Sequence, residues 1–321
     1  MPRHNIARLQ PRSQLAFGTL RALDRVGLGR PCLRAMLGLF PRAYARMGRS
    51  LRGYEPTERD VFVAVYPKAG NNWMMQLATQ VVHRGEVEFD HIHDLVAWPQ
   101  APVPELIVPL DAPTHLRCVT GRRVIKTQLP HPQTPYSERA HYVVVLRDPK
   151  DTLVSMYHFA NGVIGGIVDV QFSMEALYEY VVSDTMPACW AEHAASWWAL
   201  RERDNVFVVT FGEMKRDLAG VVSSMAAVLG VELSEAEHAR VVERGSFAWM
   251  KAHEDKFAPP VPTYRGQPAT MIRKGEVGGS KAALSPAQRA ALDDHYRRKL
   301  AALGSDLPYD ELFVASSTTA K

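Results

Sequence analysis

The sequence predicts an α/β fold: a single domain in which a central parallel β-sheet is flanked by helices. This follows from three features. Four short runs are β-rich and apolar over four to six residues, the pattern of strands buried on both faces. Helical patterns lie between them, so strands are joined by crossovers rather than tight hairpins. Cations stand where three of the strands end, which is where an open parallel sheet collects its ligands.

Composition agrees with a soluble globular chain, with 46% hydrophobic and 22% charged residues among 321. No run approaches the ~18 uninterrupted apolar residues of a membrane span, and no compact apolar stretch with a small-residue cleavage site opens the chain. Cys32, Cys118 and Cys189 are widely spaced and form no C-x-x-C pair, so neither a disulfide framework nor a zinc site is expected. A cytoplasmic location fits that cysteine usage.

Residues 1–55 stand apart. They hold eleven Arg against only Asp24 and Glu55, a net +9 that leaves −5 for the rest of the chain. Between 15 and 52, Leu, Met, Phe and Arg mix at roughly helical spacing, and two readings follow. One is a basic helical extension packed on the domain with its charges in water, which we prefer. The other is a surface helix making peripheral contact with anionic lipid. Aromatic interleaving is too sparse for a nucleic-acid surface.

The main domain is expected over 56–312. Its strands are VFVAVY (61–66), RVIKT (123–127), HYVVVLR (141–147) and NVFVVTF (205–211). Helices are expected over 73–84, 149–159, 173–183, 187–203, 214–229 and 285–303, with Asp148 and Ser285 as caps ahead of Pro149 and Pro286. Residues 90–120, rich in Pro, His and Asp, form a loop too long for an ordinary connection. NGVIGG (161–166) reads as a mobile loop over the site, and Trp190, Trp197 and Trp198 as core packing on one helix. The chain is expected to end in a disordered tail, 313–321.

The strand ends carry the chemistry. After the first strand comes Pro67-Lys68-Ala69-Gly70-Asn71-Asn72-Trp73, a glycine turn leading into a helix whose N–H groups can cradle oxygens. Its lysine precedes the glycine and no Ser or Thr follows as a magnesium ligand, so it is not the common phosphate loop. Lys126 ends the second strand. Arg147 ends the third, ahead of a helix with Ser155 about two turns in. A fourth basic element, MIRKGEVGG (271–279), sets Arg273 and Lys274 beside glycines. Together these predict a polyanion site. His91 and His93 with Asp94 lack a third metal ligand at a known spacing, so they read as acceptor pocket or surface loop and no metal is expected.

These residues resemble the cytosolic-type sulfotransferases. YPKAGNNW resembles their 5′-phosphosulfate loop, VVVLRDPKDTLVSMYHF their 3′-phosphate segment, VIKTQLP their KTHLP element, GSFAWMK their TSFxxMK segment, and IRKGEVGGSK their RKGxxGDWK loop. The five matches fall in the family's order from about 61 to 300.

The resemblance implies a P-loop-like site for 3′-phosphoadenosine 5′-phosphosulfate (PAPS; product PAP), from which a sulfuryl group moves to a hydroxyl or amine of a small-molecule acceptor; Met and Trp near the loops suit an apolar one, and an acidic one such as a phenol needs least help to lose its proton. The resemblance implies no metal. On it, Lys68 contacts the bridging oxygen on the leaving side, Ala69, Gly70, Asn71 and Asn72 cradle the 5′-phosphate, and Trp73 and Phe247 stack on adenine. Arg147, Ser155, Arg273, Lys274 and Gly275 clamp the 3′-phosphate, Met250 lines the base, and Ser155 also restrains Lys68. Lys126 joins Lys68 in stabilising charge, because such transfers rely on positioning and electrostatics.

The sequence departs from the pattern at Gln128, where the family has its catalytic histidine, and at Ala69, Asn71, Asn72, Gly245 and Gly279-Ser280. Of the family's C-terminal dimer pattern only Lys281 is kept, which leaves the oligomeric state open. Gln128 keeps a second reading alive, a PAPS/PAP-binding protein with little turnover. A kinase-like phosphotransferase lacks its magnesium ligands here.

Overall fold

In the computed structural model, residues 9–101, 104–168, 170–183, 189–261 and 270–315 are described. The order of elements is α1 (Pro11–Arg25), α2 (Gly29–Met47), β1 (Asp60–Val65), α3 (Asn71–Val82), β2 (Arg123–Thr127), β3 (His141–Leu146), α4 (Pro149–Phe159), α5 (Gly165–Ile167), α6 (Met174–Val182), α7 (Trp190–Trp198), β4 (Val206–Thr210), α8 (Phe211–Arg216), α9 (Leu218–Val228), α10 (Glu235–Gly245), α11 (Phe247–Ala252), α12 (Ser280–Ala283) and α13 (Pro286–Ala302). Among the described residues no helix is long and apolar enough to cross a membrane.

The four strands form one parallel sheet in the order β2-β1-β3-β4. Every residue of β1 is buried, as its central place and the apolar run that follows Asp60 require. Phe62 stacks on Tyr142 at 5.2 Å, and Tyr142 in turn meets Tyr136 and Trp197. Each such pair adds about 0.5–1.5 kcal/mol beyond the area it buries. At the amino end of the sheet, the fully buried Asp60 carboxylate accepts from Tyr54 Oη (2.7 Å), the Thr57 backbone N–H (2.7 Å) and Arg123 Nε (2.6 Å), which ties the entering chain to β2.

The register sets Val63 opposite both Lys126 and Val143, and Leu146 opposite Thr210. The carboxyl ends of all four strands therefore finish on one edge, where Lys68, Gln128, Arg147 and Phe211 follow within a few residues. The 90–120 region is not wholly irregular. It contains 3-10 turns at Ile92–Asp94, Pro104–Leu106 and Thr114–Arg117, and Ala97 pairs alongside Ile125 as an extra edge bridge.

Several expectations need correction. NGVIGG does not form a loop: a π-helical turn, Ala160–Ile164, prolongs α4 and runs into α5. The helix expected over 214–229 is two, because the Asp217 carboxylate accepts the Gly220 N–H at 2.8 Å and caps a fresh start. The helix expected over 187–203 runs from Trp190 to Trp198, and 187–188 lie outside the described residues. Of the expected tail, 313–315 belong to a helical turn that buries Phe313, and 316–321 lie outside the described residues. Trp190 and Trp197 are buried, donating their indole N–H groups to Arg147 O and Leu129 O, both at 3.1 Å.

Candidate active site

The loop between β1 and α3 turns sharply. The Ala69 N–H and the Asn71 side-chain amide both donate to Tyr66 O, at 3.0 and 2.9 Å, and Lys68 (φ 67°) and Gly70 (φ 120°) take left-handed backbone conformations. Gly70 answers a real demand, since a Cβ there would lie 3.2 Å from the Phe211 ring. A non-glycine residue in the left-handed region is uncommon, and Lys68 holds it inside the loop expected to cradle phosphate. The first-turn N–H groups of α3 open onto this loop without intrahelical acceptors.

Asn71 donates inward to Tyr66 O, and Asn72 donates to Phe257 O at 3.4 Å, so both amides brace the loop, and what the loop offers an anion is its backbone N–H groups. Trp73 donates its indole N–H to Gly245 O at 2.7 Å and packs edge-on to Phe211. Gly245 is explained by the same packing. A Cβ there would fall 2.3 Å from Leu77 Cδ2, because α10 lies tight against α3.

Arg147 connects the loops. Its Nη1 donates to Lys68 O (3.0 Å), its Nη2 to Glu276 O (3.3 Å), and its guanidinium lies 4.3 Å from the Phe211 ring centroid. Its Nε is buried with no partner. Arg273 and Lys274 are exposed on the 271–279 loop, with Lys274 3.8 Å from Glu276. Gly275 takes φ 59°, and a Cβ there would sit 2.5 Å from the Phe247 ring. Arg147, Arg273, Lys274, Gly275 and Phe247 are thus brought to one end of the site.

Asp151 supplies what sequence reasoning missed. Its buried carboxylate accepts the Gly278 N–H (2.6 Å) and the Ser280 N–H (2.9 Å), fastening the 271–279 loop to α4. The signal was available in the second aspartate of RDPKD. Lys150, from the same run, is not free to meet an anion: it is buried in an ion pair with Asp148 (3.1 Å) and Asp293.

Lys68 and Lys126 form no ion pair among the described residues. The Lys68 ammonium sits 4.2 Å from the Phe159 ring centroid, and burial, helped by the charge of Arg147, brings its pKa down to about 7. Lys126 is buried over Trp98, 3.3 Å from the ring centroid, and burial with the Lys68 charge drives its pKa well below the usual lysine value. A chain of cations, Arg147 acting on Lys68 and Lys68 on Lys126, with no carboxylate paired to either lysine among the described residues, describes a site built to receive negative charge. Ser155 lies one helical turn before Phe159 on the same face of α4, half-buried and without a hydrogen bond to a described residue. Gln128 is half-buried and likewise unengaged. Met250 is buried in α11. Among the described residues no group of three His, Cys, Asp or Glu could hold a metal ion.

The parallel sheet thus gathers Lys68, Lys126 and Arg147 at its carboxyl edge, where an open α/β sheet takes its ligand. The family described as the sulfotransferase domain matches residues 58–304, and the chain belongs to it. It is a sulfotransferase, an enzyme of sulfuryl transfer. The chain is 26% identical over 257 residues to sulfotransferase 2B1 of Homo sapiens (78% of this chain, 68% of that protein) and 27% over 252 residues to the 3-alpha-hydroxysteroid sulfotransferase of Cavia porcellus (76% and 84%). A solved structure of retinol dehydratase, in complex with androsterone and inactive cofactor PAP, superposes with a TM-score of 0.66 at 20% identity, covering 84% of this chain and 88% of that one.

Proposed function

We propose that this enzyme binds PAPS across the strand ends and transfers its sulfuryl group to the hydroxyl of a small apolar or phenolic acceptor beside Trp98. In this reading the backbone of 69–73 holds the 5′-phosphosulfate, with Trp73 and Phe247 against the adenine and Met250 behind it. Arg147, Ser155, Arg273, Lys274 and Gly275 take the 3′-phosphate. Lys68 and Lys126 meet the charge that grows on the leaving oxygen. The observation that carries the reading is Arg147, which spans Lys68 O and Glu276 O and still has a buried, unpartnered Nε. A half-buried cation whose Nε is enclosed and has no hydrogen-bond partner among the described residues fits a bound phosphate.

The acceptor class rests on the surfaces next to Lys126, where Trp98 and His93 stack at 5.1 Å, and on the lipophilic molecule named with the retinol dehydratase neighbour. The three free cysteines fit a reducing, cytoplasmic setting. Calorimetric titration with PAP and with ATP tests the nucleotide: PAP should bind well ahead of ATP without added magnesium. Equal binding of the two, or none, removes the reading.

A further inference from the structure

A hydroxyl acceptor must lose its proton as its oxygen bonds to sulfur, and the Gln128 carboxamide has no basic site to take it near neutral pH. Lys68 and Lys126 are assigned above to the leaving oxygen, where their charge is needed. Three histidines lie in or beside the loops next to the acceptor, and hydrogen-bond accounting separates them.

His131 is on the wrong side. Its ring meets Tyr136 and Trp197, both at 5.4 Å, and these pack on Tyr142, the second residue of β3, at the end of the sheet away from Lys68. His91 has no lone pair left: its Nε2 donates to Ala258 O at 3.0 Å and its Nδ1 accepts the His93 N–H at 3.2 Å. His93 differs. Its Nδ1 donates to Val96 O at 3.2 Å, which fixes the proton there and leaves Nε2 as an acceptor without a hydrogen bond to any described residue. The ring stacks on Trp98 (5.1 Å, 21°), whose indole also carries the Lys126 ammonium at 3.3 Å.

We propose that His93 Nε2 is the general base that deprotonates the acceptor, replacing the histidine missing at Gln128; this rests on the sulfuryl-transfer reading above. The acceptor oxygen forms its bond to sulfur as the bond from sulfur to the 5′-phosphate oxygen breaks. The hydroxyl proton passes to His93 Nε2, and the electron pair of the broken bond stays on PAP beside Lys68 and Lys126. The titratable neighbours that act on His93 are Lys126 and His91, and with burial first among the causes they hold its pKa well below the ordinary histidine value. Asp94 is engaged with the His91 backbone N–H at 2.9 Å. The neutral, base-competent form therefore prevails through neutral pH.

The test uses the full chain, PAPS, and the fastest phenol and fastest aliphatic alcohol of an acceptor panel. His93→Phe keeps a ring on Trp98 and should lower kcat for the alcohol by about 10²-fold or more, the phenol much less, since a phenol needs less help to ionise. PAP affinity, titrated separately, should not move. The low-pH limb of the alcohol profile should vanish in His93→Phe, and Gln128→His in that background should restore the alcohol rate. An alcohol rate unchanged in His93→Phe, a surviving low-pH limb, or a failure of Gln128→His to rescue a variant that still binds PAP each overturns the proposal. Loss of PAP binding by the wild-type chain would instead strike the sulfuryl-transfer reading.

Discussion

Arg147 donates to the backbone carbonyl of Lys68 at 3.0 Å while Lys68 holds a left-handed φ of 67°, so the cation at the end of β3 fixes the cation at the end of β1 through its main chain, not its charge. The two residues should fail differently when removed. Lys68→Ala should cut turnover of the bound complex by about 10²-fold or more, beyond the PAP affinity it loses with its charge, because its ammonium matters most as the leaving oxygen gains charge. Arg147→Ala should weaken PAP binding by on the order of 2 kcal/mol or more, since it removes an enclosed phosphate partner and the tie between two loops. Equal loss of affinity in both, with turnover of the bound complex unchanged, would refute this division of roles.

Proton uptake should accompany PAP binding. In the free enzyme Lys68 titrates near pH 7, and an anion beside it favours the charged form and moves the pKa back toward 10.5. Between those values the free folded protein holds fewer protons than the unfolded chain, so its stability rises with pH across that window. With PAP bound the trend is relieved, and the apparent affinity falls as pH climbs above about 7. Calorimetry at pH 8 in two buffers of different ionisation enthalpy measures the uptake, and Lys68→Met should remove most of it. A buffer-independent heat in the wild-type enzyme would count against the shifted lysine.

Gly275→Ala tests the far end of the site. The substitution forces a side chain into a left-handed conformation, which costs about 1–2 kcal/mol, and sets its Cβ 2.5 Å from the Phe247 ring. Phe247 must move, and with it the surface expected to carry adenine. PAP affinity should drop at least tenfold, with the melting temperature lowered by no more than the few degrees that the backbone strain costs. A variant binding PAP as tightly as wild type would remove Phe247 and Gly275 from the cofactor site.

The strands could be read from the sequence to within about a residue because a strand buried on both faces admits almost nothing but apolar side chains, as β1 and β3 show. Helix α10 could not. Its sequence, EAEHARVVERG, buries only Val241 and Gly245, so it lacks a long apolar stripe, although Ser234 and Glu237 form a capping box that announces its start. In the site, motif positions pointed to Lys68, Lys126 and Arg147, and the second aspartate of RDPKD was visible without its role, while nothing in the sequence marked Trp98. Asp151 matters only because loop 278–280 lies over it, and Trp98 only because Ala97 pairs beside β2 and turns the indole under Lys126. Such roles are made by distant neighbours, and neither periodicity nor spacing records them.

The N-terminal helices pack on the domain: Leu9 is buried and the Gln10 N–H donates to Glu105 Oε1 at 2.9 Å, within the 3-10 turn Pro104–Leu106. Helix α1 also touches α5, and Tyr44 on α2 packs against the main core, its phenol pushed up to about 12 by burial. Both segments met by α1 border the loops expected around the acceptor. Deleting 1–28 should therefore leave PAP affinity and the cooperative melt intact but alter the KM for bulky acceptors several-fold, while deleting 1–50 should also lower the melting temperature, because it strips Tyr44 from the core. If the shorter deletion leaves every acceptor's KM unchanged, α1 is a passenger. Sedimentation with anionic vesicles decides its remaining role: binding by the full chain, lost on deletion and weakened by salt, would assign the eleven arginines of 1–55 to a membrane surface.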